Sequence, residues 1–302
     1  MLKKTLENLP IAPYLDEICE TLKKSESHFL VLTAETAAGK STAVPVALLN
    51  SFPKKIIMLE PRRIATLSIA DRISEILGEQ TGKTVGYRMH LESKISDSTR
   101  IEILTEAILT KKLQSDPSLE DTSVVILDEF HERSIHADLA LAFLKDAMAL
   151  RDDLFVIVMS ATIETKRISE YLGGVQKPAS VLKIPGRQFP VQIEYAGCKT
   201  PSKAILEQIS LLRKENKFET ILVFLPGIAE IRRTQNELSE YNFPPEETEI
   251  LALHSSISFS EQQKVLAPQP KNKIRIILSS AIAETSITVP GVKTVIDSGW
   301  AR

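Results

Sequence analysis

Two short stretches carry residue types suited to phosphate chemistry. The first, AETAAGKST at 34–42, follows an apolar run and closes on Gly39-Lys40-Ser41. It fits the phosphate-loop pattern at every position but the first, and in that pattern backbone N–H groups and a helix N-terminus cradle phosphate. Read this way, Glu35, Thr36, Ala37, Ala38, Gly39, Lys40, Ser41 and Thr42 hold the nucleotide. The Lys40 ammonium lies on the β/γ oxygens and the Ser41 hydroxyl on Mg²⁺. Taken alone, the stretch also reads as a small-residue turn closed by a lysine.

The second stretch, VVILDEFHERS at 124–134, drives four apolar residues straight into two acids. Adjacent carboxylates at a buried strand end repel each other and are poorly solvated without a cation. An aspartate there, Asp128, can hold Mg²⁺ directly or through water, and Glu129 can orient or deprotonate an attacking water. Ser41, Asp128 and Glu129 are therefore the candidate metal-site residues. A solvated pair of loop acids is the plainer reading, and the phosphate loop upstream weighs against it. Zinc-protease chemistry is excluded by spacing: His131 and His136 are five residues apart. That is about 140° around a helix, so HERSIH does not present both rings to one metal as HExxH does.

These residues need a scaffold that ends strands where a ligand binds. Apolar, β-branched runs at 28–34, 55–61, 99–105, 123–129 and 155–161 alternate with helical periodicity at about 40–50, 61–77, 105–115, 134–149 and 164–172. That alternation predicts βαβ units on a parallel sheet, whose ligands sit at the carboxyl ends of the strands. Continuous apolar runs mark central strands covered on both faces, so VVIL is one of them. The spacing also allows VVILDE to lie beside the first strand. A Gly- and Pro-rich segment at 173–190 reads as a junction. Beyond it, strands are expected at 220–226, 249–255, 274–280 and 293–299, with helices at about 203–216, 227–240 and 259–266. The chain is thus two α/β units in tandem, the second stopping just after a strand.

Composition narrows the class. The 302 residues are 43% hydrophobic and 25% charged, ordinary for a globular protein with two domains. No apolar run approaches the ~18 residues that cross a bilayer, and MLKKTLENLP lacks the apolar core of a signal peptide. Cys19 and Cys198 stand alone and read as free thiols in a reducing cytoplasm. The formal charge of −2 means that any surface for nucleic acid is local.

DEFH at 128–131, followed by Glu132-Arg133, resembles motif II of the DEAH group of superfamily 2 helicases, especially the bacterial HrpB type. The likeness extends along the chain in order. LEPRRIAT (59–66) resembles motif Ia, LTEAIL (104–109) motif Ib and SAT (160–162) motif III; PGRQFPV (185–191) matches the inter-domain segment. ILVFLPGIAEI (221–231) is similar to motif IV, LHSSISFSEQQ (253–263) to the segment after it, and SSAIAETSITVPGV (279–292) to motif V.

The resemblance implies two RecA-like phosphate-loop domains, at 1–185 and 186–302, the second incomplete. It implies an ATP-dependent RNA helicase core, a nucleoside triphosphatase that binds Mg·ATP and single-stranded RNA, with DNA left open, and moves along the strand. It implies that Arg72 stacks on the adenine, with Leu266 where an aromatic is expected opposite, and that Lys40, Glu129 and His131 serve catalysis. Ser160 and Thr162 would couple hydrolysis to domain closure, and Arg62, Arg63, Thr105 and Ser280 would touch the nucleic-acid backbone. Ser280-Ala281 replaces the family's usual Thr-Asn, and Pro290 replaces an acid. A cytoplasmic monomer with no membrane contact is expected. The chain given stops at VIDSGWAR, before the glutamine and paired arginines of motif VI. Weak hydrolysis is therefore expected of it, and the alternative is an ATP-binding interaction module that switches shape without unwinding.

Overall fold

The computed structural model describes residues 6–7, 9–35, 38–161, 164–186, 190–195, 197, 200–241, 243–254, 256–283 and 289–300. The chain divides into two compact units, Met1–Phe189 and Pro190–Arg302. The first runs α1 (Leu15–Lys24), β1 (Phe29–Ala34), α2 (Lys40–Leu49), β2 (Lys55–Leu59), α3 (Arg63–Leu77), β3 (Val85–Met89), β4 (Glu92–Lys94), β5 (Ile101–Leu104), α4 (Glu106–Ser115), β6 (Thr122–Leu127), α5 (Ile135–Met148), β7 (Phe155–Ser160), α6 (Thr165–Gly173) and β8 (Ser180–Ile184). Its strands form one 8-stranded sheet in the order β4-β3-β5-β2-β6-β7-β1-β8. Every pairing is parallel except the β3–β4 hairpin.

The period-2 geometry of strands explains the core. Leu30, Leu32, Ile56, Met58, Val124, Ile126, Ile157 and Met159 point to one face, against Ile18 and Leu22 of α1, Val44 and Leu48 of α2 and Ile73 of α3. Their neighbours Val31, Ile57, Leu59, Val125, Leu127, Val156 and Val158 point to the other, against Leu109 and Leu113 of α4, Leu141 and Leu144 of α5 and Leu172 of α6. Both faces of the central strands are apolar because helices cover both.

Three strands and one helix escape the sequence pattern. β4 is the exposed ESK, held by pairing to β3 and not by an apolar face. β3 carries a buried Gly86 and an exposed Arg88, which break its apolar run. β8 lies within the segment read as a junction. Its SVLKI packs as an edge strand along β1, in register from Leu30↔Ser180 to Ala34↔Ile184. α1, LDEICETLKK, buries only Ile18, Cys19 and Leu22 of its ten residues, opening on acids and closing on lysines as its dipole favours. The structure also inserts β7 between β6 and β1, so VVILDE is one strand removed from the phosphate-loop strand and not beside it.

The second unit runs α7 (Pro201–Lys214), β9 (Thr220–Phe224), α8 (Ile228–Ser239), β10 (Thr248–Leu253), α9 (Phe259–Leu266), β11 (Ile274–Ser279) and β12 (Val292–Asp297). Its 4-stranded sheet is parallel, in the order β10-β11-β9-β12. Ile205, Ile209 and Leu212 of α7 and Ile231 and Leu238 of α8 bury one face of it. Among the described residues, no helix is long and apolar enough to cross a membrane.

Candidate active site

β1 leads directly into the phosphate-loop residues, of which Thr36 and Ala37 lie outside the described residues. Gly39 stands at φ +90°, a left-handed conformation open to glycine, and a Cβ built there would lie 2.9 Å from Leu9 Cδ1. Its carbonyl accepts the N–H groups of Thr42 and Ala43, which starts α2. Ala38 is buried, and its carbonyl accepts the Ile11 N–H at 3.1 Å, tying the loop to the chain ahead of α1. Lys40, the first residue of α2, is buried, and its ammonium donates to the carbonyls of Ala34 at 2.6 Å and Glu35 at 3.1 Å. A buried ammonium held, among the described residues, by loop carbonyls is placed where a phosphate at the same loop could take it.

β6 ends beside β2, and the Asp128 N–H donates to the Leu59 carbonyl at 3.1 Å. The Asp128 side chain is buried; its Oδ1 accepts the Glu129 N–H at 2.8 Å. Asp128 Oδ2 and Glu129 Oε2 are buried without a hydrogen-bond partner among the described residues. Glu129 itself takes a left-handed φ of 49° and opens a 3₁₀ turn, Phe130–Glu132, anchored by the buried Phe130. His131 Nδ1 lies 3.4 Å from Glu129 Oε2.

Burial pushes the Asp128 carboxyl up, opposed by the nearby Ser41 hydroxyl and the Glu129 N–H. Burial, with the charge of Asp128 added, raises the Glu129 carboxyl to about 7, while Lys40 pulls it back down. A third acid joins them. Glu60 follows β2, is 1% exposed, and is pushed well above the usual carboxylate range by burial and then by Asp128 and Glu129. A buried cluster of three raised carboxyls, two with orphaned oxygens, fits a divalent cation as its missing counter-charge. Among the described residues no three His, Cys, Asp or Glu side chains gather as a metal cage. A divalent ion here would therefore have to draw on Ser41, Asp128 and ligands from outside the protein, the manner in which Mg²⁺ is commonly held.

Ser160 ends β7 fully buried and opposite Thr33 of β1, which places it on the strand separating the phosphate loop from the acids; its partner Thr162 lies outside the described residues. Arg62 caps α3 from an extended conformation, its N–H donating to Glu60 Oε1 at 3.3 Å and its guanidinium meeting Glu132 Oε1 at 3.2 Å. Arg63 is exposed and lies 3.6 Å from Glu92. Thr105 precedes α4, and its N–H donates to the Arg88 carbonyl at 3.3 Å. Arg72 is exposed on α3 and donates to Glu75 at 3.0 Å. In the second unit, Leu266 is half-buried against the small core of Leu222, Leu253, Val265 and Ile277. The Ser280 N–H there donates to the Leu253 carbonyl at 3.1 Å.

Sequence reasoning overlooked Glu60, although KIIMLE ends an apolar strand on an acid just as VVILDE does. It also overlooked Gly186, which β8 carries alongside Glu35: a Cβ there would lie 1.7 Å from Glu35 Cγ. That closeness had no signal, because it depends on an unforeseen strand.

Comparison with known proteins decides the family. A family model described as DEAD/DEAH box helicase matches residues 14–171. The chain belongs to that helicase family. A second model, the helicase conserved C-terminal domain, matches residues 202–301 of this DEAD/DEAH box helicase. It is 38% identical over 304 residues to the ATP-dependent RNA helicase HrpB of Escherichia coli, covering 98% of this chain and 36% of that protein. It is 39% identical to the ATP-dependent RNA helicase HrpA of Borreliella burgdorferi, over 97% of this chain and 36% of that one. The crystal structure of the E. coli DEAH/RHA helicase HrpB superposes with a TM-score of 0.85 at 38% identity, covering 98% of this chain and 37% of that one. The two units are accordingly RecA-like α/β domains. The chain spans about a third of the length of these relatives.

Proposed function

We propose that this chain is the core of an ATP-dependent RNA helicase, binding Mg·ATP and single-stranded RNA and using hydrolysis to move along the strand. One observation carries the chemistry: Asp128 Oδ2 and Glu129 Oε2 are buried with no hydrogen-bond partner among the described residues, on the strand end next but one to the Lys40 loop. Carboxylates in that condition ask for a cation and a reacting water, and the buried Lys40 supplies the charge for the phosphates.

In this reading Lys40 leaves the carbonyls of Ala34 and Glu35 for the β/γ-phosphates, and Gly39 lets the backbone turn its N–H groups toward them. Ser41 and Asp128 would hold Mg²⁺, which supplies neutralisation of the phosphate charge. Glu129, raised to about 7, is matched to taking a proton from water near neutral pH. His131 sits against Glu129, and Ser160 stands between the loop strand and the acid strand, so both can report what happens at the phosphates. Arg62, Arg63 and Thr105 follow the carboxyl ends of β2 and β5 and form the face for the sugar-phosphate backbone. In the second unit Ser280 is the candidate contact to a nucleic-acid backbone.

The test is ATP turnover by the protein with and without single-stranded RNA, with a DNA strand of the same sequence as comparison. Weak turnover that rises with RNA is expected. ATP binding with no nucleic-acid stimulation would overturn the motor reading.

A further inference from the structure

The segment Glu132-Arg133-Ser134 has no role in the chemistry above, yet it is tied on both sides. Glu132 Oε1 meets the Arg62 guanidinium at 3.2 Å, with both side chains only about a quarter exposed, at 22% and 25%. The backbone of the same Glu132 donates its N–H to the Glu129 carbonyl at 2.9 Å and so closes the turn that carries Glu129 and His131. On the other side the Ser134 hydroxyl donates to the Glu106 carboxylate, next to Thr105, while accepting the Ala137 N–H at 2.9 Å to cap α5. Between them Arg133 takes a left-handed φ of 52°, paired through two nitrogens with Asp138 and set over the Phe130 ring.

Two non-glycine residues, Glu129 and Arg133, thus flank this turn in the left-handed region. Such conformations persist only where the surroundings hold them, and beside Asp138 and Phe130 the holding contacts include Arg62 and Glu106. From this geometry we infer that Glu132 and Glu106 are positioning residues: they transmit occupancy of the Arg62 and Thr105 face to the turn that aims Glu129. The inference rests on the helicase reading. A guanidinium presents five N–H donors in a fixed fork, so Arg62 can hold a phosphate oxygen and Glu132 together. Nucleic acid on Arg62 then fixes Glu132, and through its N–H the Glu129 carbonyl. Glu106 fixes the far end of the segment by the same logic. Neither carboxylate need touch ATP, water or nucleic acid.

The experiment compares the protein with its Glu132→Ala, Glu106→Ala and doubly substituted forms, with Glu132→Gln as an isosteric variant and thermal melts to verify folding. Glu106→Ala removes the acceptor for Ser134 and leaves the Ser134 cap on α5 intact. ATP turnover is measured without RNA and across a titration of single-stranded oligouridylate, whose binding is followed separately by fluorescence anisotropy. Basal turnover within about twofold and oligouridylate affinity within about threefold of the parent are expected, with RNA-saturated kcat at least about fivefold lower in the double variant. RNA-saturated kcat unchanged in the double variant overturns the proposal. So does a parallel fall of basal and stimulated turnover, which a merely structural role would give. If the unsubstituted protein shows no stimulation at all, the helicase reading fails first, and that outcome is visible before any variant is made.

Discussion

Gly186 lies against Glu35 so closely that a Cβ on it would sit 1.7 Å from Glu35 Cγ and 2.5 Å from Glu35 Cβ. The contact exists because β8 pairs with β1 up to Ile184↔Ala34, which brings the following residues level with the start of the phosphate loop. Glu35 Cβ is fixed to the backbone, so relief requires the loop or the strand to shift. Overpacking of this kind costs about 1–3 kcal/mol. Gly186→Ala is expected to weaken Mg·ATP binding by about tenfold or more, measured by calorimetry. Unchanged affinity would mean that the loop absorbs the methyl group without consequence.

Lys40→Ala removes the ammonium that now bridges the carbonyls of Ala34 and Glu35. A hydrogen bond to a charged group contributes about 1.5–3 kcal/mol, so Mg·ATP affinity should fall by roughly tenfold to a hundredfold. The melting temperature should move by only a few degrees, because the two carbonyls can turn to water. Equal affinity in variant and parent would remove Lys40 from the phosphates.

Glu129→Gln keeps the shape of the side chain and abolishes its basicity. Nucleotide binding should persist while turnover falls by about 10²–10⁴. A variant that hydrolyses ATP at the parent rate would leave Glu129 a structural role only.

Glu129 also makes stability depend on pH. Its folded carboxyl stands at about 7 against an ordinary 4.5. Between those values the native state binds a proton that the unfolded chain has released, so stability falls as pH rises through the window. The contribution is intact below the lower value and lost above the upper one. Without divalent metal, Glu129→Gln should match the parent near pH 4 and exceed it by about 1–2 kcal/mol near pH 8, by thermal or denaturant melts. The raised Glu60 and Asp128 leave part of the pH dependence in the variant. Adding Mg·ATP should narrow the difference, since a cation favours the ionised carboxylates.

Base selectivity is expected to be weak. Arg72 is exposed, held by Glu75, and offers a flat cationic face to a base. Stacking tolerates every base because each has a π-face. ATP, GTP and CTP should bind within roughly tenfold of one another, about 1.4 kcal/mol, in competition measurements. A preference of about a thousandfold for ATP would show base-edge hydrogen bonds instead.

The sequence by itself determined the alternation of elements and set a glycine-lysine-serine turn and an acid pair at strand ends. Apolar runs such as VVIL and FVIV can only be satisfied by burial on both faces, which requires helices on each side, and a glycine-lysine-serine turn between strand and helix has one well-known use. Strands that owe their place to pairing were invisible: ESK has nothing apolar to bury, and SVLKI is disguised by the Gly and Pro around it. Only the tertiary structure set β7 between the acids and the phosphate loop, gathered Glu60 with Asp128 and Glu129, and tied Arg62 to Glu132. The physical reason is that local pattern records what one segment needs from its surroundings. The order of strands, and the side chains brought together where they end, are decided by which segments meet.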